Sequence, residues 1–139
     1  MGTPGTHYLF IPMQSHYQYI IIGAGCAGLQ LANALLNDSG LSTESLLIIE
    51  ASEIHEEKTW CFWNPEKHKY SHLVKKKWKS IAFRARDTSV KAALPDLCYQ
   101  YISSTDFYEH QLNWLRKDTR VTFLFEPVNS IKWNNGIRQ

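Results

Sequence analysis

The chain has 139 residues, enough for one domain and short for two. Hydrophobic residues make up 44% of it, so it can bury a core, and a formal net charge of +2 gives no general reason to expect a nucleic-acid partner. Three scattered cysteines without a CxxC pair indicate free thiols in a reducing compartment. The longest apolar run, residues 19–24, is too short to cross a bilayer. The composition therefore predicts a cytoplasmic protein.

Residues 1–16 show no hydrophobic periodicity and contain two glycines and two prolines, which predicts a loose N-terminal tail. Met13 lies four residues before the first predicted strand. We expect the protein to start either at Met1 or at Met13, and we expect the folded part to comprise residues 17–139.

A βαβ unit is predicted directly after the tail. Residues 17–22 are short, β-branched and apolar on both faces, as in a buried parallel strand. Residues 27–36 carry apolar side chains at helical spacing, and Gly40 is expected to cap the end of that helix. Residues 46–50, LLIIE, predict a second buried strand. Such crossovers are almost always right-handed.

The remainder of the chain is less regular. Residues 53–70 mix charged and aromatic side chains, and we predict a long loop there. Alternation of side chains predicts strands at 77–86, 89–94, 99–102, 121–125 and 128–133. The strand at 121–125 is expected to be the next parallel strand of the sheet, after an excursion over residues 51–118.

One further helix is predicted after the strand at 99–102. Ser103 or Ser104 can cap it, and Tyr108, Leu112 and Leu115 form an apolar stripe at helical spacing.

The last predicted element is a hairpin turn. Asn135-Gly136 is a strong hairpin signal, but three residues follow it, so we expect residues 128–133 to lack a partner strand. We therefore predict an incomplete domain, the front part of a longer protein.

A GxGxxG motif, formed by Gly23, Gly25 and Gly28, lies between the first strand and the first helix. The first glycine permits a tight turn, the second permits a pyrophosphate to approach the backbone, and the third permits helix and strand to pack closely. The N-terminus of the helix offers free N–H groups to phosphate. Glu50 follows the last glycine by 22 positions and can accept hydrogen bonds from a ribose diol, whereas it would repel the 2′-phosphate of NADP.

The predicted dinucleotide site consists of the loop and this carboxylate. Its members are Gly23, Ala24, Gly25, Cys26, Ala27, Gly28 and Glu50. The motif alone leaves FAD and NAD open, and it also occurs by chance in βαβ turns that bind nothing. No GK[ST] sequence follows, so a P-loop is excluded. The predicted fold class is α/β, with a Rossmann-like FAD/NAD(P)-binding βαβ core and additional β-strands.

Three segments in order resemble the lycopene cyclase family of carotenoid biosynthesis. They are YIIIGAGCAGLQLANAL with LLIIE, KTWCFW at 58–63, and YQYISSTDFYEHQL at 99–112. The glycine motif is common to many flavoproteins, so KTWCFW, at its distance from Glu50, makes the resemblance specific. The resemblance covers residues 17 to the C-terminus.

The resemblance implies an enzyme that cyclises the ends of lycopene to β-ionone rings, with reduced FAD and no net redox change. It implies FAD as the cofactor, lycopene as the substrate and NAD(P)H as a possible reductant of the intact enzyme. Thr59 and Trp60 join the expected cofactor-binding residues on this ground, although the aromatic residues of TWCFW also suit core packing.

Family members are several hundred residues long. Their acidic catalytic motifs lie downstream of the part that residues 17–139 resemble. We therefore expect no catalytic residue within the chain and no cyclase activity from it alone. Alternatives are a fragment of another FAD-dependent oxidoreductase, of hydroxylase or desaturase type, and an inactive nucleotide-binding remnant.

Two weaker features complete the sequence. KKKWK at 75–79 suits either a lysine-protected strand edge or contact with anionic lipid, which would place the protein at the inner face of a membrane. His68 and His72 have the spacing of helical zinc ligands, but no third ligand accompanies them, and we predict no metal site.

Overall fold

The structure, a computed structural model, describes residues 14–41, 43–53, 56–134 and 137–138. Ten strands and two α-helices occur in that part of the chain. In chain order they are β1 Tyr19–Ile22, α1 Cys26–Asn37, β2 Leu46–Glu50, β3 Thr59–Asn64, β4 Lys76–Trp78, β5 Ser80–Ala85, β6 Thr88–Ala93, β7 Cys98–Ser103, α2 Ser104–Leu115, β8 Val121–Phe125, β9 Trp133–Asn134 and β10 Ile137–Arg138. Short 3₁₀ turns cover Ser39–Leu41 and Ser71–Leu73.

The chain forms two compact units. The first comprises the described residues up to 53 and from 114 onward, and the second comprises the described residues between them. Met13 and most of the predicted tail lie outside the described residues. None of the described helices is long and apolar enough to cross a membrane.

A parallel three-stranded sheet in the order β1-β2-β8 forms the first unit. The predicted strands at 46–50 and 121–125 are confirmed with their bounds, and β8 pairs with β2 as the next parallel strand. Four buried apolar side chains from the three strands lie on one face of the sheet, namely Ile21, Leu46, Ile48 and Val121. Leu47 is buried on the opposite face, but Ile20 and Ile22 are about half exposed, so the prediction that the first strand is buried on both faces is wrong. Leu29, Ala32 and Leu36, spaced three and four apart on α1, are buried as well.

Helix α1 ends earlier than the position of Gly40 suggests. Its C-terminal cap is Asp38, in extended conformation, whose N–H donates to the carbonyl oxygen of Leu35 at 3.2 Å. The Gly40 N–H donates to Asp38 Oδ1 at 2.8 Å, inside a 3₁₀ turn. The prediction of Gly40 as the cap is therefore wrong, because the Asp38 side chain closes a local turn that needs no left-handed residue.

A charged pair joins the end of α1 to the start of β8. Arg120 donates from Nε and Nη2 to the two carboxylate oxygens of Asp118, at 2.9 and 2.7 Å. Its Nη2 also donates to the carbonyl oxygen of Leu36 at 3.1 Å, in the last turn of α1. This guanidinium holds the pKa of Asp118 below its ordinary value, chiefly through the side-chain hydrogen bond.

The second unit contains an antiparallel sheet in the order β3-β7-β4 and a separate two-stranded hairpin, β5-β6. The predicted loop at 53–70 is wrong in part, since β3 occupies six of its residues and aligns along the whole of β7. The single strand predicted at 77–86 is divided at Lys79, because β4 pairs with β7 whereas β5 pairs with β6.

A buried amide fixes the turn that follows β3. Gln100 on β7 is fully buried, and its Nε2 donates to the carbonyl oxygens of Asn64 and Pro65 at 3.1 and 2.9 Å. Its Oε1 lies 2.9 Å from Nε2 of His68. The amide is thus satisfied on both sides, as a buried polar group requires.

The buried face of α2 differs from the predicted stripe. Ser104, Phe107, Gln111 and Leu115 are the buried residues, while Tyr108 and Leu112 are partly exposed. Gln111 was overlooked because it is polar, but its Nε2 donates to the Tyr70 hydroxyl at 3.1 Å. Leu115 belongs to both sets, so the predicted register was wrong by one position over most of the helix.

The C-terminal strand prediction also needs correction. Residues 128–132 form no strand, and β9 pairs with β10 in antiparallel fashion, so a two-residue return strand is present. Asn135 and Gly136 themselves lie outside the described residues.

We predict that Asp118→Asn lowers the free energy of unfolding at neutral pH by about 1–3 kcal/mol, because it removes a charged hydrogen-bond partner of a partly buried arginine. Since the folded pKa of Asp118 is depressed, the stabilisation is present above the ordinary value of 3.8 and is lost as the pH falls through the lower folded value. Urea unfolding across acidic pH measures both effects. Asp96→Asn, at an exposed position, is the control, and an equal loss in the two variants would contradict the prediction.

Candidate functional site

The glycine loop begins where β1 ends. Gly23 adopts φ +101°, a conformation that residues with a side chain rarely adopt. Its N–H donates to the carbonyl oxygen of Ile49 at 2.7 Å, so the turn is attached to the neighbouring strand β2. The first glycine therefore makes the tight strand-to-helix turn that the motif predicts.

Gly28 lies in the first turn of α1 against the same loop. A Cβ on this residue would lie 2.0 Å from the Gly23 carbonyl oxygen and 3.2 Å from Cγ2 of Ile21. Real atoms do not approach this closely, so any side chain here would force the helix away from the strand. The close helix–strand packing expected of the third glycine is present.

The N-terminus of α1 lies beside open space. A Cβ at Gly25 would meet no atom within 4 Å, and Gly25 caps the helix without a side-chain hydrogen bond. The first backbone bond of the helix runs from the Leu29 N–H to the Gly25 carbonyl oxygen. The preceding N–H groups, those of Cys26, Ala27 and Gly28, have no carbonyl partner within the helix. No acidic residue occupies the first turn.

Glu50 reaches back from the end of β2 to the glycine loop. Its Oε2 accepts the Ala24 N–H at 2.7 Å, and its Oε1 accepts the N–H of Ala51 at 2.8 Å. Ala24 itself is buried. The structure thus brings together the loop and the acidic residue that the sequence placed in one site, and it adds a direct contact between them that spacing alone did not reveal.

Thr59 and Trp60 begin β3 in the second unit. Thr59 is exposed and pairs in register with Ser103. The Trp60 ring packs edge-on against Phe107 and Tyr108, with centroids 5.0 and 5.4 Å apart. Trp60 therefore contributes to core packing, as was considered from the sequence for the aromatic residues of TWCFW. A contact of Thr59 or Trp60 with a cofactor stays a prediction.

A cleft of about 350 Å³ that the sequence did not indicate lies between the 3₁₀ turn at Ser71–Leu73 and helix α2. His72 Nε2 and His110 Nδ1 approach to 3.4 Å there. Burial, and after it the neighbouring His72 and Lys69, lowers the pKa of His110.

From the sequence, His72 was considered together with His68 as a pair of metal ligands, whereas the neighbour of His72 in space is His110. Among the described residues, no three His, Cys, Asp or Glu side chains converge as metal ligands.

The described chain is thus a mixed α/β protein with a glycine-rich turn and an acidic residue joined at one edge of a parallel sheet. The family model described as lycopene cyclase protein matches residues 18–137. The chain belongs to the lycopene cyclase family, which confirms the resemblance in its sequence and connects it with carotenoid biosynthesis. No curated protein and no solved structure gave a significant match.

We predict that Gly28→Ala destabilises the protein by at least about 2 kcal/mol, because the added methyl group collides with backbone rather than with a movable side chain. Gly25→Ala is the matched control, since open space surrounds that position, and its effect should stay below about 1 kcal/mol. Urea unfolding measures both. Similar losses in the two variants would show that the close packing at residue 28 is not the cause.

We predict that acidification weakens the fold through His110. Its folded pKa is lowered from 6.5, so the stabilisation is present above that value and is lost as the pH falls below it. The urea midpoint of the wild type should decrease between about pH 7.5 and about pH 5.5 more than that of His110→Asn, which cannot be protonated there. Equal slopes for the two proteins would contradict this origin.

Proposed function

We propose that this chain forms the FAD-binding part of a lycopene cyclase-like enzyme, built on a Rossmann-like dinucleotide-binding core. The observation that carries the proposal is the junction between the glycine loop and Glu50, where Oε2 accepts the Ala24 N–H at 2.7 Å. The parallel order β1-β2-β8 is what one half of a doubly wound sheet requires. The family is generally flavin-dependent.

The loop fits a pyrophosphate in both shape and charge. The open space beside Gly25 leaves room for phosphate oxygens near the backbone. The N–H groups of Cys26, Ala27 and Gly28 are the donors proposed to bind them, and the positive end of the α1 dipole adds a favourable potential. An acidic side chain in this turn would oppose an anion, and α1 has none there.

Glu50 fits the ribose of the same ligand. Each carboxylate oxygen already accepts one backbone N–H, and each has a further lone pair for a hydroxyl donor. The backbone bonds hold the side chain at the edge of the loop, so little rotamer entropy would be lost on binding. A 2′-phosphate at this position would meet an ionised carboxylate, which favours FAD and NAD over NADP.

The substrate proposed from the family is lycopene, whose end groups would be closed to rings by protonation of the terminal alkene, ring closure and loss of a proton. Reduced FAD, when bound, would supply an electron-rich ring that stabilises positive charge without net redox change. NAD(P)H is proposed only as the reductant of the intact enzyme. We assign no catalytic acid within residues 1–139, and the role proposed for this chain is to bind and orient the cofactor.

Thr59 and Trp60 are proposed as cofactor-binding residues from the family resemblance alone. Both belong to the second unit, and Trp60 packs on α2. Thr59 is exposed.

Titration of the purified chain with FAD tests the proposal. We expect FAD to raise the thermal midpoint and to bind by equilibrium dialysis, with NADP much weaker than NAD. Gly25→Val should weaken FAD binding by tenfold or more, because its side chain would occupy the space for the pyrophosphate. Glu50→Gln should weaken it by roughly tenfold through loss of the charged acceptor.

Glu126→Gln, an exposed substitution in the same unit, is the control and should bind FAD like the wild type. A folded chain that neither binds FAD nor gains stability at saturating FAD would support an inactive remnant and overturn the proposal. Equal affinity of wild type and Gly25→Val would place any bound flavin outside the glycine loop.

A further inference from the structure

Positive charge is concentrated in one stretch of the second unit. Residues 75–93, here called the basic segment, contain seven lysines or arginines and one aspartate, a net charge of +6 in a chain whose total is +2. The rest of the chain therefore carries a net charge of −4. The segment comprises β4, β5 and β6, all of which belong to the second unit.

Part of this charge is neutralised within the unit. Lys75 pairs with Asp106 at 2.6 Å, and Glu66 lies 2.8 Å from Lys79 and 3.9 Å from Lys77. The ion pairs of the described residues do not include four other cations of the segment. These are Lys76, Arg84, Arg86 and Lys91, all exposed. These four cations, with Asp87 as the one acidic residue of the segment, are available to an anionic surface.

The hairpin β5-β6 has an apolar face that no other described strand covers. Phe83 and Val90 pair across its two strands and are 67% and 56% exposed. Ile81 and Ala92 pair two positions further along and share that face. Arg84 and Lys91 lie on the other face, because side chains alternate along each strand. A two-stranded ribbon with a bare apolar face is marginal in water and indicates a contact surface.

The edge strand β4, which directly precedes the hairpin in the chain, carries aromatic side chains. Trp78 pairs with Tyr99, which in turn pairs with Trp63 on β3. The Tyr99 ring lies 5.8 Å from the Trp78 ring and 4.7 Å from the Trp63 ring, and Lys76 Nζ lies 5.3 Å from the centre of the Trp78 ring. Trp63 is 47% exposed and Trp78 36%. Tryptophan and tyrosine beside lysine are favoured at membrane–water interfaces.

Arg86 lies at the tip of the hairpin and has an unusual backbone conformation. Arg86 has φ +44°, whereas a two-residue hairpin loop ordinarily has glycine, asparagine or aspartate where φ is positive. A bulky side chain in this conformation is strained. The sequence thus keeps a charged side chain at the tip at the expense of local stability.

We propose that the basic segment docks the protein on the surface of an anionic lipid membrane. The apolar face around Phe83 and Val90 would enter the boundary between headgroups and acyl chains, while Arg84, Arg86 and Lys91 would lie among the lipid phosphates. This is the division of faces found in interfacial amphipathic helices, here made by a β-ribbon. The aliphatic neighbours of Phe83 on this face, Ile81 and Val90, favour lipid over nucleic acid, because a strand of bases would stack on a series of aromatic rings.

Sedimentation of the full chain with lipid vesicles tests the proposal and requires no flavin, so its outcome is independent of FAD binding. We expect binding to phosphatidylcholine vesicles that contain phosphatidylserine, little binding to pure phosphatidylcholine, and weakening with added salt. Arg84→Ser with Lys91→Ser should reduce the affinity roughly 30-fold, since each cation near such a surface contributes about fivefold. Phe83→Ser should reduce it roughly tenfold.

Lys117→Ser with Lys132→Ser removes the same charge outside the segment, and this control should bind within about twofold of the wild type. Leu31→Ser, at an exposed apolar position of α1, is the control for Phe83→Ser. Arg86→Gly should raise the stability of the protein and yet lower its vesicle affinity, which separates the role of the cation from folding. Unchanged binding by the segment variants, or equal losses in the controls, would overturn the proposal. So would failure to bind anionic vesicles, including a case in which only oligonucleotides bind.

Discussion

The close approach of Gly28 to the carbonyl oxygen of Gly23 is the contact on which the first unit depends. Because residue 28 has no Cβ, α1 can begin within van der Waals distance of the turn that ends β1. That distance sets the position of the helix N-terminus over the sheet edge. It also allows the apolar side chains of α1 to be buried together with Ile21 and Ile48. One missing methyl group thus links core packing to the orientation of the N–H groups at the candidate site.

Glu50 adds an electrostatic condition to this steric one. Its carboxylate accepts hydrogen bonds from the N–H groups of Ala24 and Ala51, so the glycine loop is attached to the end of β2. The same carboxylate would repel phosphate placed on the ribose side of the loop, while the helix dipole attracts phosphate a few residues away. These opposite potentials lie side by side, and the proposal of a dinucleotide ligand rests on them, because a dinucleotide is anionic at its centre and carries neutral hydroxyl groups beside it.

Sequence reasoning succeeded for the parts of the first unit whose signals are local, but it failed for the helix cap at Gly40 and for the strand at 128–133. Buried parallel strands are continuous apolar runs, and the glycine spacing is dictated by backbone sterics, so β2, β8 and the loop could be predicted with their bounds. It did less well in the second unit, where pairing partners decide the structure. The division of 77–86 into two strands, the amide network of Gln100 and the buried Gln111 all depend on residues far away in sequence. Within the site, the tight turn at Gly23 and the close packing at Gly28 could be predicted, but the Glu50–Ala24 hydrogen bond could not, because spacing does not fix a side-chain rotamer.

The parallel pairing of β2 with β8 has a consequence for how the protein folds. The two strands are adjacent in the sheet, yet the entire second unit separates them along the chain. During synthesis, β1, α1 and β2 are made well before β8. One edge of β2 therefore has no partner strand while residues 54–113 are synthesised. Closing so long a connection is entropically costly and slow, and a strand with an open edge is vulnerable to pairing with another chain. The inserted unit has its own hairpin and antiparallel sheet, and their formation shortens the effective loop that β8 has to close.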